Sequence, residues 1–141
     1  MSEPGPQMMA RFVGAENVER GRDYLEQLDP ELHRYIVDFV YGEVYAGETL
    51  DTKTRALCTV AMLAALGQQL QLGVYVQAAR RQGASEQEIR EVLRQVAVYA
   101  GFPSAWNALA TMKAALERFE DTGQESQRQA DGQPLAGAVS G

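Results

Sequence analysis

Residues 69–83, QLQLGVYVQAARRQG, can be read in two ways. Leu70, Leu72, Val74 and Val76 alternate with Gln71, Gly73 and Tyr75, the period-two pattern of a half-buried strand. The stretches on either side read as helices, however, and a lone strand among helices has no neighbour to take its backbone hydrogen bonds. Read as a helix, the segment puts Leu72, Val76 and Ala79 on one face and continues through the helix-forming QAARRQ. Gly83 then falls where a glycine just past the last turn ends a helix. The helical reading wins on tertiary grounds, and with it an all-α chain. Gly73, inside the helix, costs up to ~1 kcal/mol relative to alanine. Such a glycine points to close approach of another helix or of a ligand.

The rest of the chain is punctuated as helices. Residues 14–27 form a polar helix with Val18, Tyr24, Leu25 and the following Leu28 as apolar positions. Asp29-Pro30 supplies an N-cap and a first-turn proline. Behind it, Leu32, Tyr35, Ile36, Phe39 and Val40 follow the i, i+3, i+4, i+7, i+8 spacing of an amphipathic helix. Asp51 caps the next helix, Thr52–Leu66, whose ALCTVAMLAAL is apolar nearly all round and so is expected at the centre. SEQE at residues 85–88 matches a capping box, followed by Ile89, Val92, Leu93, Val96 and Ala97 on one face. GFP at 101–103 breaks that helix and starts the last, which is expected to run to about Glu120. Residues 1–11, rich in Pro and Gly, read as a flexible lead. Residues 121–141, with only Leu135 and Val139 as large apolar side chains, read as a disordered tail. The folded domain is then residues 12–120.

Composition limits the function classes. A net charge of −6, a pI near 4.8 and 13 dispersed basic residues argue against a nucleic-acid partner. They do not exclude an anionic small substrate, which needs only one or two local arginines. No apolar run is long enough for a membrane span, and the N-terminus lacks a secretory core, so a cytoplasmic location away from membranes is expected. Cys58 is the single cysteine, which rules out an intrachain disulfide and a CxxC pair; among apolar neighbours it reads as packing. His33 is the single histidine, and a metal site is not built on one such residue.

Residues 41–67, YGEVYAGETLDTKTRALCTVAMLAALG, and residues 83–109, GASEQEIREVLRQVAVYAGFPSAWNAL, resemble the carboxymuconolactone decarboxylase family of the alkylhydroperoxidase-D-like superfamily. The resemblance spans about residues 11–119. It implies a bundle of about six helices that assembles as a homo-oligomer, a trimer or a hexamer, with pockets between helices and near subunit contacts. It also implies loss of CO2 from a small lactone acid without a cofactor. Glu43 matches the family's motif glutamate and Arg55 its arginine, while Tyr99 and Pro103 match a segment bordering the pocket. The motif histidine is replaced: the spacing from Gly67 to Gly83 puts Tyr75 there. The thiol-peroxidase branch of the superfamily is set aside, because Gln and Leu occupy its CxxC positions.

Decarboxylation needs electrons drained into a conjugated carbonyl, then a proton delivered to carbon. Histidine suits the proton step. Tyrosine, with an ordinary pKa near ~10, is a poor shuttle at neutral pH but a good donor to a developing oxyanion. The candidate catalytic residues are therefore Glu43, as acid or base if burial between Tyr41 and Tyr45 raises its pKa, and Tyr75. Arg55, Tyr99 and Trp106 are the candidate substrate-binding residues. The expected function is a carbon–carbon lyase, isomerase or cyclase working by enolate chemistry on a lactone, keto acid or polyketide-like substrate. Two alternatives stay open: a silent binding or structural oligomer, and an ordinary 4-carboxymuconolactone decarboxylase. Packing of Tyr75, solvation of Glu43 and pairing of Arg55 with Asp51 or Glu48 are the plainer readings of those residues.

Overall fold

In the computed structural model, which describes residues 5–133, the ambiguous segment is helical over Gln69–Arg81. It is the fifth of seven α-helices: α1 (Gly5–Val13), α2 (Ala15–Leu28), α3 (Pro30–Tyr35), α4 (Thr52–Leu66), α5 (Gln69–Arg81), α6 (Glu86–Ala100) and α7 (Phe102–Ala130). The third passes directly into a π-helical segment, Ile36–Val44. There is no strand among the described residues.

Helix α5 packs against α1, α4 and α7, which explains why its β-favouring residues are helical. Leu72, Tyr75, Val76 and Ala79 are all buried in that position, and burial outweighs local propensity. The helix ends as expected, with Gly83 at φ +92° and its N–H donating to the Arg80 carbonyl at 3.0 Å. Gly73 faces α7, where Thr111, Ala115 and Arg118 lie nearest. The approach is not tight: a Cβ at Gly73 would sit 3.6 Å from its nearest neighbour, ordinary van der Waals distance.

The caps are as expected. The Asp51 carboxylate accepts the Thr54 N–H at 2.7 Å, Asp29 accepts that of Glu31 at 3.0 Å, and Ser85 and Glu88 close a reciprocal capping box. Lys53 reaches Glu88 at 2.7 Å, tying the start of α4 to that box.

Four expectations are corrected. Helix α4 buries only the stripe Ala56, Val60 and Ala64, while Cys58, Met62 and Leu66 are exposed, so the apolar-all-round helix is not central in one chain. The stripe of α3 is also uncovered: Leu32, Tyr35 and Phe39 are exposed. The π winding, seen in the Tyr45 N–H donating to the Val40 carbonyl at 2.8 Å, turns Tyr41 rather than this stripe into the core. At the N-terminus, residues 5–11 are not a lead. They belong to α1, which buries Met8, Met9, Phe12 and Val13, with Pro6 in the first turn where a missing N–H costs nothing. At the other end α7 continues to Ala130, since no proline interrupts it, as a solvated extension. Residues 1–4 of the expected lead and 134–141 of the expected tail lie outside the described residues.

Two glycine substitutions separate close approach from spare room. Gly73→Ala should stabilise the chain by about 0.5–1 kcal/mol in urea denaturation, because the methyl meets only ordinary contacts and the helix gains propensity. Gly5→Ala should destabilise it. Its Cβ would clash with the Val37 carbonyl oxygen, so α1 must shift off the π segment.

Candidate active site

Tyr75 is 8% exposed, and its hydroxyl shares a hydrogen bond with that of Tyr41 across the α5–π-segment boundary. Burial is the main cause that pushes both phenols above their usual range, Tyr41 to about 12. Both are therefore neutral at physiological pH, each able to donate or accept. The π segment sets this up. Tyr41 and Tyr45 are four residues apart on the same side, their ring centroids 5.0 Å apart. Phe12 of α1 meets the Tyr45 ring edge-on at 4.9 Å, and the Tyr45 and Tyr75 rings are 6.1 Å apart.

A second chain of hydrogen bonds leads outward from Tyr45. Its hydroxyl lies 2.5 Å from the Thr59 Oγ1, which donates to the Arg55 carbonyl at 3.1 Å. With the Thr59 proton spent there, Tyr45 is the donor to Thr59. Arg55 lies with its Cζ 5.8 Å from the Tyr45 ring centre, and its Nη2 donates to the Gly47 carbonyl at 3.1 Å. Its Nε is buried with no partner among the described residues, so the guanidinium retains donor capacity. Arg55 forms no ion pair with Asp51 or Glu48; the Asp51 carboxylate is occupied by the helix cap. A cavity of about 420 Å³ opens beside this chain, lined by Met8, Tyr45, Gly47 and Asp51.

The structure brings together some expected site residues and separates others. Tyr75 and Arg55 are linked through Tyr45, which touches both. Glu43 is exposed, not buried between the tyrosines as expected, because the winding that turns Tyr41 and Tyr45 inward turns the residue between them out. Tyr99 is 88% exposed and lines an apolar groove of about 440 Å³ between α4 and α6. Cys58 lines the same groove; it is not core packing. Trp106, 76% exposed, lines a third groove with Phe102 at the start of α7. His33 is half-buried with its Nδ1 3.7 Å from the Glu26 carboxylate, and no cluster of metal-binding side chains occurs among the described residues.

Tyr41, Tyr45 and Thr59 were not among the expected site residues. The signal for the first two was present as the i, i+4 pair in YGEVY, but the glutamate between them drew the chemical reading. Thr59 carried none.

A sequence model described as the carboxymuconolactone decarboxylase family matches residues 30–114, which include Tyr41, Arg55, Tyr75, Tyr99 and Trp106. The chain is 30% identical over 119 residues to 4-carboxymuconolactone decarboxylase of Acinetobacter baylyi, covering 84% of this chain and 87% of that protein. It is 27% identical over 122 residues to nitrosuccinic acid decarboxylase of Metarhizium robertsii, covering 86% and 85%. An uncharacterized 15.0 kDa protein of Paracoccus denitrificans is 31% identical over 87 residues, covering 60% and 65%.

Two measurements probe the buried pair. Tyr75→Phe leaves the Tyr41 hydroxyl buried without its partner, at a cost of about 1–3 kcal/mol. Removing both hydroxyls should cost less than the sum of the single changes, and a double-mutant cycle in urea measures that coupling. Stability should also fall at alkaline pH. The unfolded tyrosines ionise near ~10, whereas Tyr41 holds its proton to about 12. The stability from the raised pKa is therefore whole below pH ~10 and is lost as pH rises towards about 12. Denaturation curves should show a smaller alkaline loss for the Tyr41→Phe/Tyr75→Phe chain.

Proposed function

Because the chain belongs to the carboxymuconolactone decarboxylase family, we propose that it is an enzyme that removes CO2 from a small oxygenated acid without a cofactor. The observation that carries this reading is the Tyr41–Tyr75 pair, two neutral phenols in an apolar setting at the place where the family resemblance puts a histidine. Two relatives named as decarboxylases, aligned over more than four-fifths of this chain, support the reaction class.

In this reading the bond to the carboxylate carbon breaks and its electron pair passes into a neighbouring carbonyl of the substrate, forming an enolate as CO2 leaves. Tyr75 donates its O–H to the enolate oxygen, stabilised in turn by Tyr41. Such a donor acts most strongly where water is excluded. Arg55 holds a second, retained carboxylate through its remaining N–H groups. The proton that replaces CO2 on carbon comes from water, relayed by Glu43 where a second copy of the chain covers its exposed position.

A homo-oligomer, trimer or hexamer, is part of this proposal. Val98, Tyr99, Phe102 and Trp106 form an exposed apolar run across the α6–α7 junction, and Leu32, Tyr35 and Phe39 form another on α3 and the π segment. Soluble monomers rarely leave large contiguous patches of this kind uncovered. Tyr99 and Trp106 then act at pockets closed by the neighbouring copy.

One observation favours a second reading, a silent oligomer that kept the fold. Tyr75 is packed against Tyr41 and lines neither the cavity beside Arg55 nor the two apolar grooves. Mass spectrometry of CO2 release from 4-carboxymuconolactone and nitrosuccinic acid decides between them. The enzyme reading expects turnover by the wild type and a loss of about 10²–10³ in kcat for Tyr75→Phe. Turnover undiminished in Tyr75→Phe removes Tyr75 from the chemistry; an inert wild type, across these and related keto and lactone acids, supports the silent oligomer. For assembly, light scattering should show a multimer that Trp106→Glu dissociates without unfolding.

A further inference from the structure

The cleft between α2, α5 and α7 has no role in the chemistry proposed for the tyrosines. It holds about 390 Å³ and is lined by one arginine from each helix, Arg20, Arg81 and Arg118, with Glu16 as its one lining carboxylate. None of the three arginines forms an ion pair within the described residues. This contrasts with Arg22, Arg34, Arg90 and Arg94, each of which has an acidic partner on its own helix. In a chain of net charge −6, three guanidiniums gathered from separate helices stand out as a local positive site.

The cleft is built rather than incidental. Arg81 is half-buried, donates to the Phe12 carbonyl at 3.3 Å, and lies with its Cζ 5.5 Å from the Phe119 ring centre. Gly14 leaves the space it occupies: a Cβ there would meet the Arg81 Nη2 at 3.2 Å. Arg118 passes over Gly73, so the glycine that marks α5 also borders the arginine of the neighbouring helix. Of the neutral donors lining the cleft, Asn17 donates to the Val13 carbonyl, Gln77 to that of Ala115 and Thr122 to that of Arg118, which leaves the Ser126 hydroxyl beside the guanidiniums. The charged recognition falls to the guanidiniums, whose planar N–H forks match carboxylates.

We propose that this cleft binds a small organic dianion carrying two carboxylates. Three guanidiniums against one glutamate leave a charge of about +2, which a dianion neutralises. The volume holds about a dozen waters at ~30 Å³ each, more room than an inorganic oxyanion fills. The Phe119 face adds an apolar surface for the carbon chain between the two carboxylates.

The test is isothermal titration of the full chain with succinate, adipate and phthalate, at ionic strength held constant with sodium chloride. Binding of at least one of them is expected, weakened about tenfold by each of Arg20→Gln and Arg118→Gln. Both residues are exposed, so these variants keep the fold, and circular dichroism checks that they do. The diamide succinamide should not bind. The proposal is overturned if no dicarboxylate binds, if the variants bind as well as the wild type, or if inorganic phosphate binds as tightly as the best dicarboxylate. CO2 release by Arg20→Gln stays at the wild-type level if the cleft is separate from the tyrosine site; a fall to the level of Tyr75→Phe also overturns the proposal, by making the cleft part of that site.

Discussion

The buried hydroxyl pair of Tyr41 and Tyr75 is the constraint around which the chain is arranged. A phenol removed from water needs a hydrogen-bond partner, and here one hydroxyl donates and the other accepts. That bond links α5 to the π segment, with α1 packed on both. The Tyr41 and Tyr45 rings then offer α1 an aromatic face, on which Phe12 seats with no exposure at all. Tyr45 carries the same linkage to α4 through Thr59 and the backbone of Arg55. Four elements thus meet at one polar cluster in an otherwise apolar core.

Away from this cluster, large apolar side chains lie on the surface. Small residues, Ala56, Val60 and Ala64, line the inward stripe of α4, and its larger apolar side chains face out. The same inversion holds at the α6–α7 junction, where Tyr99, Phe102 and Trp106 are exposed while Ala105 and Ala108 are buried. Small side chains inward allow helices to approach closely. Large ones outward leave apolar surface exposed on the described chain.

Most helix boundaries were legible because they depend on local chemistry. Asp29, Asp51 and Ser85 cap as their side chains predict, and Gly83 ends α5 in the left-handed conformation. Errors arose where a local signal has two outcomes. Pro and Gly at the N-terminus signal a loop, but a proline in a first turn also starts a helix, and the methionines and Phe12 that follow hold α1 in the core. The polar stretch after Glu120 lacks a core-facing stripe, yet nothing in it stops a helix already nucleated by its packed first half.

The sequence by itself determined that the chain is all-α and where most helices start and stop. Periodicity and capping are properties of neighbours along the chain, so they can be read there. Only the tertiary structure decided that Tyr75 pairs with Tyr41, that Glu43 faces away from them, and that Arg20, Arg81 and Arg118 line one cleft. Those outcomes depend on the π winding at Ile36–Val44 and on helices far apart in sequence coming side by side. No local pattern encodes either one.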